Sequence, residues 1–355
     1  MSHQKIIFTN EVAQAIDYMI SEADPAGIWI IADTTTAEKA VPYLRDYSTA
    51  LASASLITLD QGDSNKTIET VTGVWASLCT GGATRRSLVI NVGGGMVTDL
   101  GGFAAATFKR GVRFFNVPTT LLGAVDAAVG GKTGINFSGL KNEIGVFREA
   151  DAVIISTRFL STLPHNEILS GYAEMIKHGI IADADIYRRL LEFDITGCDQ
   201  ESLLPLLEES VEIKRTIVRQ DPHEHGLRRA LNFGHTAGHA FESLAIARQA
   251  PVPHGYAVAW GMVVETVLSH LELGFPSDRL HQLAKYVLDH YSIPDINCND
   301  YPELIRLMGH DKKNPYPGRI NFTLLNDIAD VHTDCIVTDI NIRAALDIFR
   351  DLMQF

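Results

Sequence analysis

Apolar residues follow two rhythms along this chain, and the rhythm changes before the midpoint. At first, short runs rich in β-branched residues end at glycine, proline or aspartate and alternate with helical spacing. The runs at 27–34, 56–60, 87–93 and 113–118 predict buried strands, and the spacing over 65–81, 96–107 and 119–129 predicts helices between them. Strands alternating with helices imply a parallel sheet covered on both faces. After about residue 157 helical spacing takes over, at 163–182, 184–193, 201–220, 229–247, 255–273 and 277–291, with one strand-like run at 319–326. The expected fold is α/β: a Rossmann-like parallel-sheet domain over 1–157, then a mostly α-helical domain over 158–355.

A length of 355 residues suits two domains, and 46% hydrophobic with 21% charged residues is ordinary for a globular protein. The formal net charge of -13 argues against nucleic acid as a partner, because an acidic surface repels a phosphate backbone. It leaves room for a small anion held by a local cluster of cations. The four cysteines are far apart, so neither a zinc-thiolate site nor a redox pair is indicated, and a reduced, cytoplasmic compartment is expected. The first residues lack the apolar core of a signal peptide, and the most apolar helical stretch stops at Glu265, far short of a membrane span.

Gly93, Gly94 and Gly95 follow a strand and open a helix. Glycines there let the backbone approach a pyrophosphate, and the helix start offers unpaired N–H groups. The spacing is not the usual dinucleotide fingerprint, since Thr98 stands where a third glycine belongs, and a plain tight turn is an equal reading. Asp33, at the end of a strand, suits ribose hydroxyls or a helix cap. Thr119 and Thr120 also sit at a strand end, where open α/β sheets bind ligands.

Glu174 and Lys177 share a helix face at i, i+3, and their small, apolar flanks suggest that the face is enclosed, where a carboxylate needs a metal or a partner. His235 and His239 stand at i, i+4, the spacing of helical zinc sites, and His254 opens the next helix. Each histidine alone suits a structural role. One Glu with two or three His makes a site for a divalent ion with room left for substrate oxygens. Arg110, Lys132, Lys141, Lys177, Lys214, Arg228, Lys312 and Lys313 supply cations for an anionic ligand. The Gly130-Gly131-Lys132-Thr133 run reads as a phosphate-facing loop, whereas Lys214 and Arg228, taken alone, better suit a solvated face.

These motifs, in this order, resemble those of the 3-dehydroquinate synthase family. They are GGGMVTDLGGFAAATFKRG at 93–111, VPTTLLGAVDAAVGGKTGINF at 117–137, GYAEMIKHG at 171–179, NFGHTAGHAFES at 232–243 and HDKKNP at 310–315. The resemblance implies NAD over Gly93, Gly94, Gly95 and Asp99, with Asp33, Asp63, Lys66, Thr119, Thr120 and Lys141 around it. It implies zinc or cobalt on Glu174, His235 and His254, so that His239 faces substrate instead of the metal. It assigns catalysis to Lys177, His239, Asn232 and Asp126, and substrate binding to Arg110, Lys132, Asn142, Lys214, Arg228 and one of Lys312 and Lys313.

The implied substrate is a small phosphorylated sugar acid, 3-deoxy-D-arabino-heptulosonate 7-phosphate, and a homodimer is the implied assembly. Asp63 stands where the family has Glu, and Glu143 where an apolar residue is usual. Two enzymes remain as alternatives: another sugar-phosphate cyclase and a metal-dependent polyol dehydrogenase. The dense Lys/Arg set weighs against the dehydrogenase, whose substrate has no phosphate. A third alternative, a regulatory protein that keeps the ligands without turnover, needs degraded motifs, and none is degraded.

Overall fold

A computed structural model describes residues 4–138, 140–222, 224–309 and 320–354. Lys312 and Lys313 therefore lie outside the described residues. The chain divides into two compact units. The first comprises Met1–Pro164 and Cys198–Val211, the second His165–Gly197 and Glu212–Phe355. The division differs from a single cut near 157. Thr157 Oγ1 donates to the Gln200 carbonyl at 2.8 Å, and Leu203 and Leu207 are fully buried, which ties the later segment to the first unit.

The first unit holds a six-stranded parallel sheet in the order β1-β8-β5-β4-β2-β3. Its strands are β1 (Lys5–Phe8), β2 (Ile28–Asp33), β3 (Ser55–Leu59), β4 (Leu88–Gly93), β5 (Arg113–Pro118) and β8 (Ala152–Ile155). The central strand β4 is buried at every position, as a strand covered on both faces must be. The helices are α1 (Val12–Ala23), α2 (Thr34–Lys39), α3 (Val41–Tyr47), α4 (Ile68–Thr80) and α5 (Gly95–Thr107). On α1, Val12, Ile16, Met19 and Ile20 share one face and pack into a core with Ile30, Ile90, Phe115 and Ile154 of the sheet.

Because neighbouring strands run parallel, Asp33, Gly93 and Pro118 end on one edge. The chain reverses its direction of travel across the sheet between β2 and β4, which places a crevice there. A separate antiparallel hairpin, β6 (Lys132–Phe137) with β7 (Leu140–Phe147), completes the unit.

The helix expected over 119–129 is shorter, spanning residues 121–127 and widened over Gly123–Ala127, and Lys132, expected in a loop, begins β6. The left-handed φ of Gly130 and Gly131 stops helical growth between the two.

The second unit is mostly helical: α6 (His165–Ala182), α7 (Ala184–Glu192), most of the later part of α8 (Gln200–Gln220), α9 (His235–Ala247), α10 (His254–Leu273), α11 (Ser277–His290), α12 (Tyr301–Gly309) and α13 (Asp339–Leu352). Two helices are interior on all sides: α6 is buried from Ile168 through Ile181, and α10 from Ala257 through Ser269. Despite α10, no helix among the described residues is long and apolar enough to cross a membrane. The strand expected at 319–326 is β9 (Ile320–Asp327), and it pairs with an unanticipated β10 (Asp330–Val337). The helix expected over 229–247 breaks at Gly234, whose φ of 79° turns a short 3-10 segment, Leu227–Asn232, into the start of α9.

Candidate active site

In the second unit, three side chains from three helices converge. Glu174 sits mid-α6, fully buried. His235 is the first residue of α9 and His254 the first of α10. The start of α10 is seated on α6 at Ser170, one turn before Glu174. The Gly255 N–H donates to Ser170 Oγ at 3.0 Å, and a Cβ on Gly255 would lie 1.9 Å from the Ser170 carbonyl oxygen. Only glycine fits, and that contact holds His254 over Glu174.

His235 Nε2 lies 3.4 Å and His254 Nε2 3.6 Å from Glu174 Oε1, and the three ligand atoms all fall within 4.8 Å of one another. Two donors about 2.0–2.1 Å from one tetrahedral ion lie about 3.3 Å apart, close to these separations. Neither Glu174 oxygen accepts a hydrogen bond of good geometry, although the Lys177 ammonium abuts Oε2 as a buried ion pair. A carboxylate so placed suits a cation.

The other ring nitrogens are tied. His235 Nδ1 lies 3.2 Å from the Phe233 carbonyl, and His254 Nδ1 3.3 Å from Glu242 Oε2. Both partners only accept, so Nδ1 carries the proton in each neutral ring and Nε2 offers its lone pair to the cluster. Charges follow the same layout. Burial opposes the Glu174 carboxylate, but Lys177 and His235 outweigh it and hold its pKa well below the usual range. Burial, reinforced by the Lys177 charge, pushes His235 down to about 3. Burial also opposes a charged His254, yet Glu174 and Glu242 outweigh it and raise its pKa to about 10.

His239, one turn beyond His235, is outside the trio. Its ring centre lies 5.3 Å from that of His235 and 5.9 Å from that of His254. The i, i+4 pair suggested by spacing alone is therefore not the pair that converges on Glu174. Lys177, Lys214 and Arg228 are all buried. Arg228 is no solvated surface cation: its guanidinium donates to the Pro222 carbonyl at 2.8 Å, and its N–H to Asp221 at 3.1 Å. Asn232 donates to Glu224 at 3.2 Å. Glu242 was missed from sequence, although His235, His239 and Glu242 form an i, i+4, i+7 stripe on one helix face.

In the first unit the glycine turn runs into α5 with Gly94 at the cap position and no side chain capping the helix. Thr119 N–H donates to the Gly93 carbonyl, and Thr120 Oγ1 accepts from Gly123 N–H, both at 3.0 Å. Asp33 is a helix cap: its Oδ1 accepts the Thr36 N–H at 2.9 Å.

Lys66, buried, is bridged by Asp99 and by the Asn142 side-chain oxygen. Asp63 accepts from Asn136 at 3.2 Å and lies 3.9 Å from the Lys141 ammonium. Lys66, Asp99 and Asn142 thus form one polar cluster, with Asp63 and Lys141 in a second around Asn136, whose Oδ1 accepts the Asn142 N–H. Asp126 is half-buried on the wide turn, whereas Arg110 and Lys132 are exposed.

The chain thus joins a parallel-sheet unit with a glycine-lined helix start to a helical unit carrying a Glu–His–His trio that could hold a metal ion. Comparison with known proteins narrows the reading. The family description "3-dehydroquinate synthase N-terminal" matches residues 56–170, and "3-dehydroquinate synthase C-terminal" matches residues 171–314. The 3-dehydroquinate synthase of Parabacteroides distasonis is 46% identical over 351 residues, 99% of each chain.

Among solved structures, 2-deoxy-scyllo-inosose synthase, complexed with carbaglucose-6-phosphate, NAD+ and Co2+, aligns at a TM-score of 0.85 and 24% identity, covering 98% of this chain and 96% of that one. The 2-epi-5-epi-valiolone synthase of Streptomyces hygroscopicus, with NAD+ and Zn2+ bound, aligns at 0.85 and 24%, covering 99% and 98%. These two share the fold. The chain belongs to the 3-dehydroquinate synthase family. Its activity is the family's, in the shikimate pathway: conversion of 3-deoxy-D-arabino-heptulosonate 7-phosphate into 3-dehydroquinate and phosphate.

Proposed function

We propose that the chain carries out this conversion as an NAD- and metal-dependent lyase, with the ion on Glu174, His235 and His254 and NAD on the glycine turn. The observation that carries the reading is the buried Glu174 carboxylate, with His235 Nε2 at 3.4 Å and His254 Nε2 at 3.6 Å from its Oε1. When bound, NAD supplies transient oxidation and re-reduction of a substrate carbon, and the ion supplies Lewis acidity toward a substrate hydroxyl.

The chain's own residues do the rest. Lys177, held in an apolar helix beside Glu174, places a fixed positive charge where a substrate oxygen gains negative charge. His239, half-buried one turn from His235, is placed to take and return a proton. Lys214 and Arg228 are buried cations suited to the substrate's carboxylate or phosphate, and Arg228 is pre-oriented by its hold on Pro222. Asn232 orients a hydroxyl. In the first unit, the α5 start and Gly93–Gly95 receive the pyrophosphate, and Asp33 the ribose. Thr119, Thr120, Asp63, Lys66, Asp99 and Lys141 frame the rest of the cofactor. Arg110, Lys132, Asp126 and Asn142 contact substrate. The Asn142 oxygen is taken by Lys66, so the contact assigned to it is donation through Nδ2.

The test is phosphate release from 3-deoxy-D-arabino-heptulosonate 7-phosphate with catalytic NAD, with and without a chelator, while net NADH is followed. Release that needs both NAD and metal and leaves no net NADH is expected. Release that survives thorough chelation removes the metal from the reading, and steady NADH accumulation with a polyol hands the chain to the dehydrogenases.

A further inference from the structure

His235 is the first residue of α9, so the direction of its ring depends on how that helix begins. The residue before it cannot cap the helix with a side chain. Gly234 has a left-handed φ, and a Cβ there would meet Met262 Cγ at 2.5 Å. Across from it, Gly261 of α10 packs so closely that its own Cβ would lie 2.0 Å from the Gly234 carbonyl oxygen. One turn further along α10 stands Glu265, 0% exposed. Its Oε2 accepts the Gly234 N–H at 2.7 Å and its Oε1 the Ala237 N–H at 3.0 Å. Both amides belong to the helix start, where no intrahelical carbonyl can receive them. Glu265 thus does from a neighbouring helix what a Ser or Asp does at an ordinary N-cap, and the favourable end of the α9 dipole faces its charge.

We propose that Glu265 is a positioning residue for the metal site: by gripping two amides of the first turn of α9 it fixes the rotation and height of that turn, and with them the aim of His235 Nε2 at the position shared with Glu174 and His254. The proposal rests on the reading that this trio holds a divalent ion. A carboxylate is required because both of its oxygens accept. Glutamine keeps the shape but presents an NH2 group to one of the two N–H donors.

The full-length chain, stripped of metal, is titrated with Co2+ while the visible absorption band is recorded, and the thermal melt of the metal-free protein is measured in parallel. Glu265→Gln is expected to bind Co2+ about 10- to 100-fold more weakly, with a shifted or weakened band. Leu283→Ala, a buried truncation on α11, is expected to lower the melting temperature while leaving Co2+ affinity and band unchanged. If Glu265→Gln does not fold, Glu265→Asp decides; it keeps the charge but is one methylene too short for both amides, and a weakened affinity is again expected.

Wild-type affinity and band in the deciding variant overturn the proposal, as does an equal loss of Co2+ binding in Leu283→Ala. Failure of both Glu265 variants to fold assigns the residue to folding and also overturns it. A wild-type chain that takes up no Co2+ fails differently: it removes the ion reading itself, and the Glu265 role falls with it.

Discussion

In the helical unit, the trio is assembled from side chains whose charges are already matched: Glu174 against Lys177, His254 against Glu242, and His235 tied to the Phe233 carbonyl. In the sheet unit, the glycine turn offers bare backbone, an uncapped helix start and an Asp33 whose carboxylate is already employed as a cap. One region invests buried polar groups in a fixed geometry before any ligand arrives. The other starts its helix at a glycine with no capping side chain. Under the proposed reading, specificity for an ion resides in side chains that mutation can delete one at a time, whereas the glycine turn's part in holding the nucleotide resides in backbone that is harder to remove.

The largest expected effect follows from that contrast. His235→Ala deletes one of three ligands and should abolish metal binding. Losing the ion removes several kcal/mol of charge stabilisation, a fall in turnover of roughly 10^3-fold or more. Metal content by elemental analysis, read beside kcat, checks it. A variant with full metal and near-normal rate ends the ligand assignment.

Gly255→Ala comes next, and it touches no ligand. The new Cβ meets the Ser170 carbonyl oxygen at 1.9 Å, and that backbone belongs to a buried helix that cannot yield cheaply. The start of α10 must move, and His254 with it. A misplacement near 1 Å costs on the order of 10^2-fold in rate. The measurement is Co2+ affinity together with kcat. Unchanged values for both mean that the seat of α10 on Ser170 does not set the position of His254.

The two histidines also differ from each other, which sharpens the comparison within the trio. His254, raised to about 10, holds a proton at neutral pH in the metal-free chain, whereas His235, pushed to about 3, holds none. An ion needs both lone pairs, so binding at pH 7 to 8 should release one proton, from His254, and metal affinity should weaken about tenfold per unit as pH falls. Because the His254 pKa is raised on folding, its contribution to metal-free stability is fully present below about pH 6.5 and is lost as pH rises through about 10. Calorimetric titrations in buffers of different ionisation enthalpy count the protons. A count of zero or two contradicts this assignment.

Legibility from sequence divides along the same line. Continuous apolar runs such as Leu88–Gly93 were readable because both faces of the strand are buried. The β6–β7 hairpin was not, since its apolar residues Phe137, Leu140 and Phe147 are exposed and carry no buried-strand signature. The 229–247 pattern looked like one helix because periodicity does not register a single left-handed glycine, and Gly234 is where the helix breaks.

Residue types for the candidate ion site are visible in the sequence, but local spacing favours His239 as the partner of His235. The true neighbour, His254, is brought in by the Gly255–Ser170 contact, which no spacing rule encodes. By spacing, Glu265 marks the end of an apolar run. A carboxylate inside such a run also signals a buried charge that must have partners, and it has two. On α13, Ile342, Ala345, Leu346 and Phe349 repeat at helical spacing and bury one face, a pattern legible in the sequence.

The smallest effect tests whether the strand end at Asp33 adds a side-chain contact to the backbone of the glycine turn. Asp33 has two candidate duties, capping α2 and receiving the ribose, and different substitutions separate them. Asn caps a helix about as well as Asp, whereas Ala costs about 1 kcal/mol of stability. Asp33→Asn should therefore melt like the parent, and Asp33→Ala a few degrees lower. If the carboxylate also receives ribose hydroxyls, both variants should bind NAD more weakly, by about tenfold or somewhat more, since hydrogen bonds to a charged acceptor contribute about 1.5–3 kcal/mol each. Equilibrium NAD titration beside thermal melts distinguishes the duties. NAD affinity unchanged in Asp33→Asn makes the residue a cap alone and leaves cofactor recognition at this strand end to backbone. Affinity lost in Asn at full stability makes Asp33 a point where the sheet unit, like the helical unit, commits a placed charge to its ligand.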